Sequence, residues 1–378
     1  MKRSSSWDIF CTVVDNYGDI GVCWRLARQL AHEHGLPVRL WVDDLTPFAR
    51  LRPDADAKRE VQHIDGVDVR HWPKDFPATD TEDVADVVIE AFACEIPGNY
   101  LAAMAQRKRA PVWINLEYLS AEDWVEGAHG LASPHPHLPL TKYFFFPGFT
   151  PNTGGLIKEA DYEKRAAAFD AAAFRASLGL PARREGELVI SLFGYENPAL
   201  SGLLDAWAHS TQPITCLVPE GRLLPDVQEF FGHHEAVMQR GHLTAHAIPF
   251  LPQQDYDGLL WLCDLNFVRG EDSFVRAQWA QKPLVWHIYP QADAAHRVKL
   301  DAFLARYLEG LPMETASAAN NFWQAWNEDG DSAAAWPAFH AALPAMKAHA
   351  RPWAERITGS GDLASRLLRH AEDSASRI

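Results

Sequence analysis

The sequence contains little cysteine, and its cysteines form no recognisable motif. Cys11, Cys23, Cys94, Cys216 and Cys263 include no pair at C-x-x-C spacing, and their number is odd. Most of them lie within or beside apolar stretches, which favours small buried hydrophobic side chains over a disulfide framework or a metal site. We therefore expect free thiols in a reducing compartment and a cytoplasmic protein.

Long hydrophobic runs are also lacking. No uncharged apolar stretch reaches the roughly 18 residues that a membrane-spanning helix needs. The start of the sequence, residues 1–6, is basic and leads directly into Trp7 and Asp8, without the apolar core of a secretory signal. The 17 histidines include no H-E-x-x-H pattern. We predict no membrane association, no signal peptide and no metal site.

Basic residues are fewer than acidic residues in this sequence. Lysine and arginine total 35 against 50 aspartate and glutamate residues, which gives a formal net charge of -15. Such a surface repels phosphate backbones, so nucleic acid is not expected as a partner, whereas a cationic acceptor would suit it. The composition, 47% hydrophobic and 22% charged, is that of an ordinary globular protein.

Continuous apolar runs alternate with amphipathic stretches along most of the chain. This pattern is typical of strands buried on both faces of a parallel sheet, with helices as crossovers. One amphipathic stretch, residues 22–30, should continue as a helix to Gly35. The predicted strands cover residues 7–14, 38–42, 84–92, 111–115, 143–146, 188–193, 214–218, 247–251, 265–268 and 283–288.

The length of 378 residues favours two domains, because single cores stop growing near roughly 250–300 residues. A turn-rich polar stretch before residue 188 predicts the boundary. We expect an α/β protein with two Rossmann-like, doubly wound domains, residues 1–182 and 183–357, facing a central cleft. Residues after 300 are predicted to be helical.

The first candidate site is the loop Asp-Asn-Tyr-Gly-Asp-Ile-Gly at residues 15–21. Gly18 and Gly21 allow a tight turn and a close approach of the backbone to a ligand. Asp15 and Asp19 place two carboxylates on one loop, although a lone aspartate here would more often cap the helix. The G-x-G-x-x-G fingerprint of dinucleotide-binding proteins is absent, which disfavours an oxidoreductase.

The second candidate site is the segment Arg-Gly-Glu-Asp-Ser, with Arg269 at the end of a predicted buried strand. The planar guanidinium and the start of the next helix could together bind a diphosphate. Pairing of this arginine with the neighbouring acids remains an equally simple interpretation. Aromatic residues at other strand ends could stack on a nucleobase, although burial in the core is the commoner outcome for such side chains. The residues of these groups are Phe193, Tyr195, Phe250, Gln253, Arg269, Gly270, Glu271, Asp272 and Ser273.

Taken together, these motifs closely resemble those of the EarP family over essentially the whole chain. Members of that family are arginine rhamnosyltransferases that modify translation elongation factor P. The resemblance implies a GT-B fold, dTDP-β-L-rhamnose as donor, an arginine of elongation factor P as acceptor, inversion at the anomeric carbon, and neither a cofactor nor a metal. It also implies that the C-terminal helix, about residues 358–378, completes the N-terminal acceptor-binding and catalytic domain, and that residues 183–357 bind the nucleotide sugar.

The resemblance assigns roles to individual residues. Asp19 would be the catalytic base, and Asp15 would orient the acceptor guanidinium, with Gly18 between them. Tyr195, Phe250 and Gln253 would form the nucleobase site. The remaining donor-binding residues would be Phe193, Arg269, Gly270, Glu271, Asp272, Ser273 and Tyr289.

Other functions fit the same pattern. A transferase acting on a small glycan and a sugar-nucleotide epimerase use comparable two-domain folds. A non-catalytic adaptor would bind no nucleotide sugar. Mass spectrometry of elongation factor P after incubation with the donor separates these alternatives.

Overall fold

The computed structural model describes residues 5–15, 17–290, 295–328 and 330–376. These residues form two compact α/β units. The first contains the described residues up to Ala160 and those from Ile357 onward, and the second is Asp161–Arg356. Within the described ranges, no helix combines the length and the apolar character that a membrane crossing requires.

The first unit is built on an eight-stranded sheet with the order β3-β4-β2-β1-β5-β6-β8-β7. Its two outermost pairs, β3 with β4 and β7 with β8, are antiparallel, and the remaining pairs are parallel. The elements are β1 Trp7–Cys11, α1 Gly18–His34, β2 Val38–Val42, α2 Leu45–Leu51, β3 Val61–Ile64, β4 Val67–His71, β5 Val87–Ala91, α3 Gly98–Gln106, β6 Val112–Leu116, α4 Trp124–Ala128, β7 Ala132–Pro134 and β8 Thr141–Phe145.

The second unit is built on a six-stranded sheet with the order β11-β12-β10-β9-β13-β14, antiparallel only between β11 and β12. In the described residues after the last strand the chain is mainly helical, as predicted, with α11 to α14. The elements from α5 to the end of the chain, of which α14 belongs to the first unit, are α5 Tyr162–Ala167, α6 Ala171–Ser177, β9 Leu188–Leu192, α7 Leu200–Ala208, β10 Ile214–Pro219, α8 Leu224–Phe231, β11 Val237–Arg240, β12 Leu243–Ile248, α9 Gln253–Leu262, β13 Leu265–Arg269, α10 Asp272–Trp279, β14 Leu284–His287, α11 Ala295–Tyr307, α12 Met313–Asn327, α13 Ser332–Thr358 and α14 Leu363–Ala375.

The division between the units lies after Ala160 and not after residue 182. The intervening segment carries α5 and α6, and its apolar residues Phe169, Phe174 and Leu180 pack against Val189 and Leu217 of the second sheet. Burial of these side chains assigns the segment to the second unit. Helix α14 belongs to the first unit.

Strand β1 ends at Cys11, three residues earlier than predicted. Beyond it, backbone N–H groups donate to side-chain carboxylates and not to the backbone of a neighbouring strand. The backbone N–H of Val13 donates to Asp43 Oδ1 at 2.8 Å, and that of Val14 donates to Asp19 Oδ2 at 2.8 Å. Residues 12–15 therefore lie outside the sheet. The helix that follows ends at Gly35, as predicted, in the left-handed conformation with a φ of 63°.

Strand β12 lies earlier than the predicted residues 247–251. It ends at Ile248, directly before Pro249. Proline has no N–H to donate to a neighbouring strand, so an interior strand ends before it. The prediction followed apolarity alone and missed the start of the strand, where His246 is buried despite its polarity.

Both sheets reverse their direction of winding beside their first strand. In the first unit the chain passes from β1 through β2 to β4 and then returns to β5 on the other side of β1. In the second unit β9 separates β10 from β13 in the same way. Ligands of doubly wound folds bind outside the carboxyl ends of the strands at these reversal points. The loops after β1 and β5, and those after β9 and β13, are therefore the expected ligand-binding positions.

Candidate active site

The loop after β1 holds the Asp19 carboxylate in a fixed position. Asp19 lies in the first turn of α1, and only 3% of its surface is exposed. Its Oδ2 atom accepts hydrogen bonds from the backbone N–H groups of Val14 and Asp15, both at 2.8 Å. The carboxylate is thus folded back onto its own loop, at the reversal point of the first sheet.

The surroundings of Asp19 favour proton acceptance. Burial raises the pKa of its carboxyl above the ordinary value, and the negative charge of Asp15 raises it further. The two backbone donors and a hydrogen bond from the Tyr118 hydroxyl oppose this increase in pKa. Because a carboxylate with a raised pKa binds a proton more tightly, it is a stronger general base than an exposed aspartate.

Gly18 brings the second carboxylate against the start of the helix. A Cβ atom at this position would lie 2.8 Å from Asp15 Oδ2, and the Gly18 N–H donates to the Asp15 carbonyl at 2.6 Å. Asp15 and Asp19 therefore both belong to one tight turn, as the sequence predicted. Asn16, between them in the motif, lies outside the described residues.

Arg269 is the last residue of β13 and is 5% exposed. Its guanidinium carbon lies 4.8 Å from the centre of the Phe193 ring and 4.7 Å from that of Tyr195. Its buried Nη1 atom has no hydrogen-bond partner among the described residues. An unpaired donor of this kind costs free energy unless a ligand accepts its hydrogen bonds. The Arg269 guanidinium is thus available to bind an anion.

The chain turns sharply between Arg269 and helix α10. Gly270 adopts a φ of 58°, where residues with side chains are strained, and its carbonyl accepts from Trp286 Nε1 at 2.9 Å. The Arg269 N–H donates to the Ser273 hydroxyl oxygen at 3.0 Å, and that hydroxyl donates to the Arg269 carbonyl. These contacts fix the first turn of α10, whose N–H groups provide a positive helix end beside the guanidinium.

Polar and aromatic residues surround this second loop. Gln253 Nε2 donates to Asp272 Oδ2 at 2.9 Å, joining the starts of α9 and α10. The Tyr195 ring meets the Tyr289 ring edge to face at 5.4 Å. Tyr195 is buried, whereas Tyr289 is 40% exposed, so Tyr289 presents the more open aromatic surface.

The sequence-predicted donor residues mostly converge on this loop. Phe193, Tyr195 and Arg269 are in contact, while Glu271 stands at the N-cap position of α10. Phe250 lies in the link between β12 and α9 and is half-buried.

Several neighbours were not identified from the sequence. His287 accepts from the Tyr195 N–H at 3.2 Å, and burial followed by the charge of Arg269 lowers its pKa to about 3. Tyr118 contacts Asp19 in the first unit. Both residues stand at or just beyond the end of a parallel strand, which is the signal that could have found them. Within the described ranges, no three or more histidine, cysteine, aspartate or glutamate side chains are grouped to hold a metal ion.

Known proteins with similar sequences cover almost the entire chain. The model of the family described as elongation factor P (EF-P) rhamnosyltransferase EarP matches residues 7–372. The protein-arginine rhamnosyltransferase of Pseudomonas putida is 52% identical over 373 residues, which covers 96% of this chain and 98% of the relative. The enzyme of the same description from Pseudomonas aeruginosa is 50% identical over 378 residues, covering 98% and 99%.

Solved structures agree with these sequence matches. A structure that concerns EarP-mediated arginine glycosylation of translation elongation factor EF-P is 38% identical, covers 98% of this chain and 100% of its own, and superposes with a TM-score of 0.70. The spinosyn rhamnosyltransferase SpnG complexed with thymidine diphosphate superposes with a TM-score of 0.53 over 97% of this chain and 100% of its own, at 14% identity, and so bears on the fold alone.

Two doubly wound α/β units with these relatives define a glycosyltransferase of the GT-B class. The carboxylate loop of the first unit and the arginine loop of the second are the positions where doubly wound folds bind ligands. The chain belongs to the EarP family.

Proposed function

We propose that this enzyme is an inverting protein-arginine rhamnosyltransferase that moves L-rhamnose from dTDP-β-L-rhamnose to an arginine of translation elongation factor P. The observation that carries the proposal is the buried Asp19 carboxylate, paired with Asp15 at the reversal point of the first sheet. Relatives named protein-arginine rhamnosyltransferases support the acceptor type. The net charge of -15 suits a cationic acceptor.

A guanidinium is a weak nucleophile, and the carboxylates of Asp15 and Asp19 would make its attack possible. Its lone pairs are delocalised, and its pKa exceeds about 12. Asp15 would hold the guanidinium by hydrogen bonds, while Asp19 accepts the proton from the attacking nitrogen as the new bond forms. The C–N bond forms at the anomeric carbon, on the face opposite the leaving group. The C–O bond to the diphosphate breaks, and its electron pair leaves with dTDP, which inverts the configuration.

The second unit would bind the donor. Negative charge grows on the departing diphosphate, so the Arg269 guanidinium and the N-terminus of α10 stabilise the transition state more than the ground state. This arrangement would take the place of a divalent metal. We assign Tyr195, Phe250 and Gln253 to the nucleobase. The rest of the donor site comprises Gly18, Phe193, Gly270, Glu271, Asp272, Ser273 and Tyr289.

We also infer a cytoplasmic location, where the elongation factor acts. No disulfide joins the five cysteines, all of which lie in the described ranges, and four of them are buried, which fits a reducing compartment.

The test is mass spectrometry of purified elongation factor P after incubation with enzyme and dTDP-β-L-rhamnose. We expect one added deoxyhexose on an arginine, both with and without EDTA. Asp19→Asn should reduce the rate by about 10²- to 10⁴-fold, the usual contribution of a general base, while dTDP still binds.

Other results would point elsewhere. Transfer to a small glycan with no protein modification would favour the alternative transferase, and interconversion of the free donor would favour an epimerase. Activity that EDTA abolishes and magnesium restores would contradict the metal-independent mechanism.

A further inference from the structure

Asp19 has a hydrogen-bond donor that comes from outside its own loop. Besides the N–H groups of Val14 and Asp15, the carboxylate accepts from the hydroxyl of Tyr118. Tyr118 lies two residues beyond β6, which is two strands away from β1 in the sheet. The carboxylate is therefore held between two separate loops at the carboxyl ends of the strands.

The Tyr118 ring is supported by an aromatic stack. Phe92 follows β5, the strand between β1 and β6, and its ring lies nearly parallel to that of Tyr118, with centres 4.5 Å apart and planes inclined by 16°. The Phe92 N–H donates to the Leu116 carbonyl at 2.7 Å, which joins the end of β5 to the end of β6. The loops after β1, β5 and β6 thus meet through Asp19, Tyr118 and Phe92.

The backbone that presents Phe92 is strained. Phe92, Ala93 and Glu95 have φ values of 57°, 55° and 53°, in the left-handed region that bulky side chains rarely occupy. Residues held in such conformations are energetically unfavourable and cluster at ligand-binding sites. Both aromatic rings are only half-buried, so the stack is not simply part of the core.

We propose that Tyr118 is a positioning residue for Asp19, and that the Phe92–Tyr118 pair forms the aromatic wall against which the acceptor guanidinium packs. This inference rests on the proposed function. Planar guanidinium groups stack on aromatic faces, so such a wall would orient the plane of an incoming arginine side chain. The neighbouring carboxylate would attract its positive charge.

The hydroxyl of Tyr118 also affects the protonation of Asp19. A donor to the ionised carboxylate stabilises that form, so removing it raises the pKa of Asp19. Asp15 on the same loop and the Cys11 thiol on β1 also interact electrostatically with this carboxylate, and the Cys11 thiol donates to the Thr12 carbonyl.

The experiment compares Tyr118→Phe with Tyr100→Phe. Tyr100 is a matched control because its hydroxyl also donates to an aspartate of the first unit, Asp8 on β1, within the protein core. For Tyr118→Phe we expect kcat/KM to fall roughly 10- to 100-fold, because the Asp19 carboxylate is no longer held in place and a displacement of about 1 Å at a reacting group can cost about 100-fold in rate. This loss outweighs the greater basicity that accompanies the raised pKa of Asp19. The acidic limb of its pH profile should move to higher pH, while dTDP affinity stays unchanged.

Substitution of Phe92 tests the aromatic wall formed by Phe92 and Tyr118. Phe92→Leu should raise KM for the acceptor protein more than it lowers kcat. Tyr100→Phe should leave the pH profile in place and change only thermal stability. An unmoved acidic limb in Tyr118→Phe, or an unchanged acceptor KM in Phe92→Leu, would overturn the corresponding part of the proposal.

A second readout does not depend on the reaction. In protein labelled with carbon-13 aspartate, the Asp19 carboxyl signal is assigned by its loss in Asp19→Asn and titrated in wild type and Tyr118→Phe. A raised pKa in the variant supports the positioning role even if no rhamnose is transferred, and an equal pKa refutes it. Absence of transfer by the wild-type enzyme would count against the proposed function alone.

Discussion

At the scale of single residues, Arg269 at the end of β13 differs from Arg276, a buried arginine of the same unit. Arg276 is fully buried as well, but both of its donor arms reach Asp257, at 2.8 Å and 2.5 Å. Arg269 instead lies between two aromatic rings, with one buried nitrogen that has no partner among the described residues. Since a buried structural arginine is normally paired, this difference favours an external anion as its partner.

Arg269→Ala should weaken dTDP binding about 10- to 150-fold, because charge-assisted hydrogen bonds contribute roughly 1.5–3 kcal/mol. Isothermal titration calorimetry measures the affinity. The matched control is Arg183→Ala. Arg183 pairs with Asp264, which directly precedes β13, so this variant removes a guanidinium near the end of β13 opposite to Arg269. Equal affinities for Arg269→Ala and wild type would remove Arg269 from the diphosphate site.

Asp19 shows how a functional carboxylate lowers stability. Burial raises its pKa in the folded protein, whereas the unfolded chain keeps the ordinary value near about 3.9. Stability linked to this group is therefore present below that value and is lost as the pH rises through the folded pKa. At neutral pH the ionised carboxylate makes folding less favourable.

Asp19→Asn should therefore be more stable than wild type at neutral pH, with the difference shrinking as the pH falls toward about 4. Urea unfolding at several pH values measures it. Asp54→Asn is a control of opposite sign, because Arg52 holds the pKa of the exposed Asp54 below its ordinary value and the substitution removes a favourable charge. A less stable Asp19→Asn at neutral pH would contradict the argument.

At the scale of elements, the sequence predicted most of the parallel strands, including the edge strand β14, and missed β3, β4, β7 and β11. Continuous apolar runs marked β2, β6, β9 and β13, because both of their faces are buried. The hairpin of β3 and β4 alternates buried and exposed residues, and its turn at Asp65 and Gly66, with φ values of 48° and 78°, is a common hairpin signal that was overlooked.

The candidate site was predictable to the same extent. Each loop carries a local motif, so Asp19 and Arg269 could be selected from sequence. Tyr118 has no motif of its own, and its contact with Asp19 arises only because β1, β5 and β6 are neighbours in the sheet. Pairing of distant strands is the information that a single sequence does not give.

The turn between β1 and α1 offers a test of its own. Gly18→Ala should push the Asp15 carboxylate away, because the new Cβ would lie 2.8 Å from its Oδ2 atom, and activity should fall while the melting temperature changes little. Gly98→Ala is the matched control, since Gly98 also begins a helix and has no atom within 4 Å of the added Cβ. If both variants retain wild-type activity, the close approach at Gly18 has no catalytic importance.

At the scale of the whole molecule, the chain builds two hydrophobic cores and returns to the first at its end. Helix α14 closes the first unit: Leu367 is fully buried, and Gln29 of α1 donates to Asp362 at 3.1 Å. The second unit encloses its own core, which includes Leu204 of α7. Apart from Gly18, all the residues assigned to the proposed dTDP-rhamnose site belong to this second unit.

Differential scanning calorimetry should consequently separate the two cores. Leu367→Ala and Leu204→Ala each remove a buried leucine and should cost about 2–5 kcal/mol in their own unit. Saturating dTDP, near 100 times its Kd, should add about 2.7 kcal/mol to the unit that binds it. We expect dTDP to raise the transition that Leu204→Ala lowers. If dTDP raised only the transition that Leu367→Ala lowers, the nucleotide would bind the first unit, and the assignment of Arg269 to the donor would be wrong.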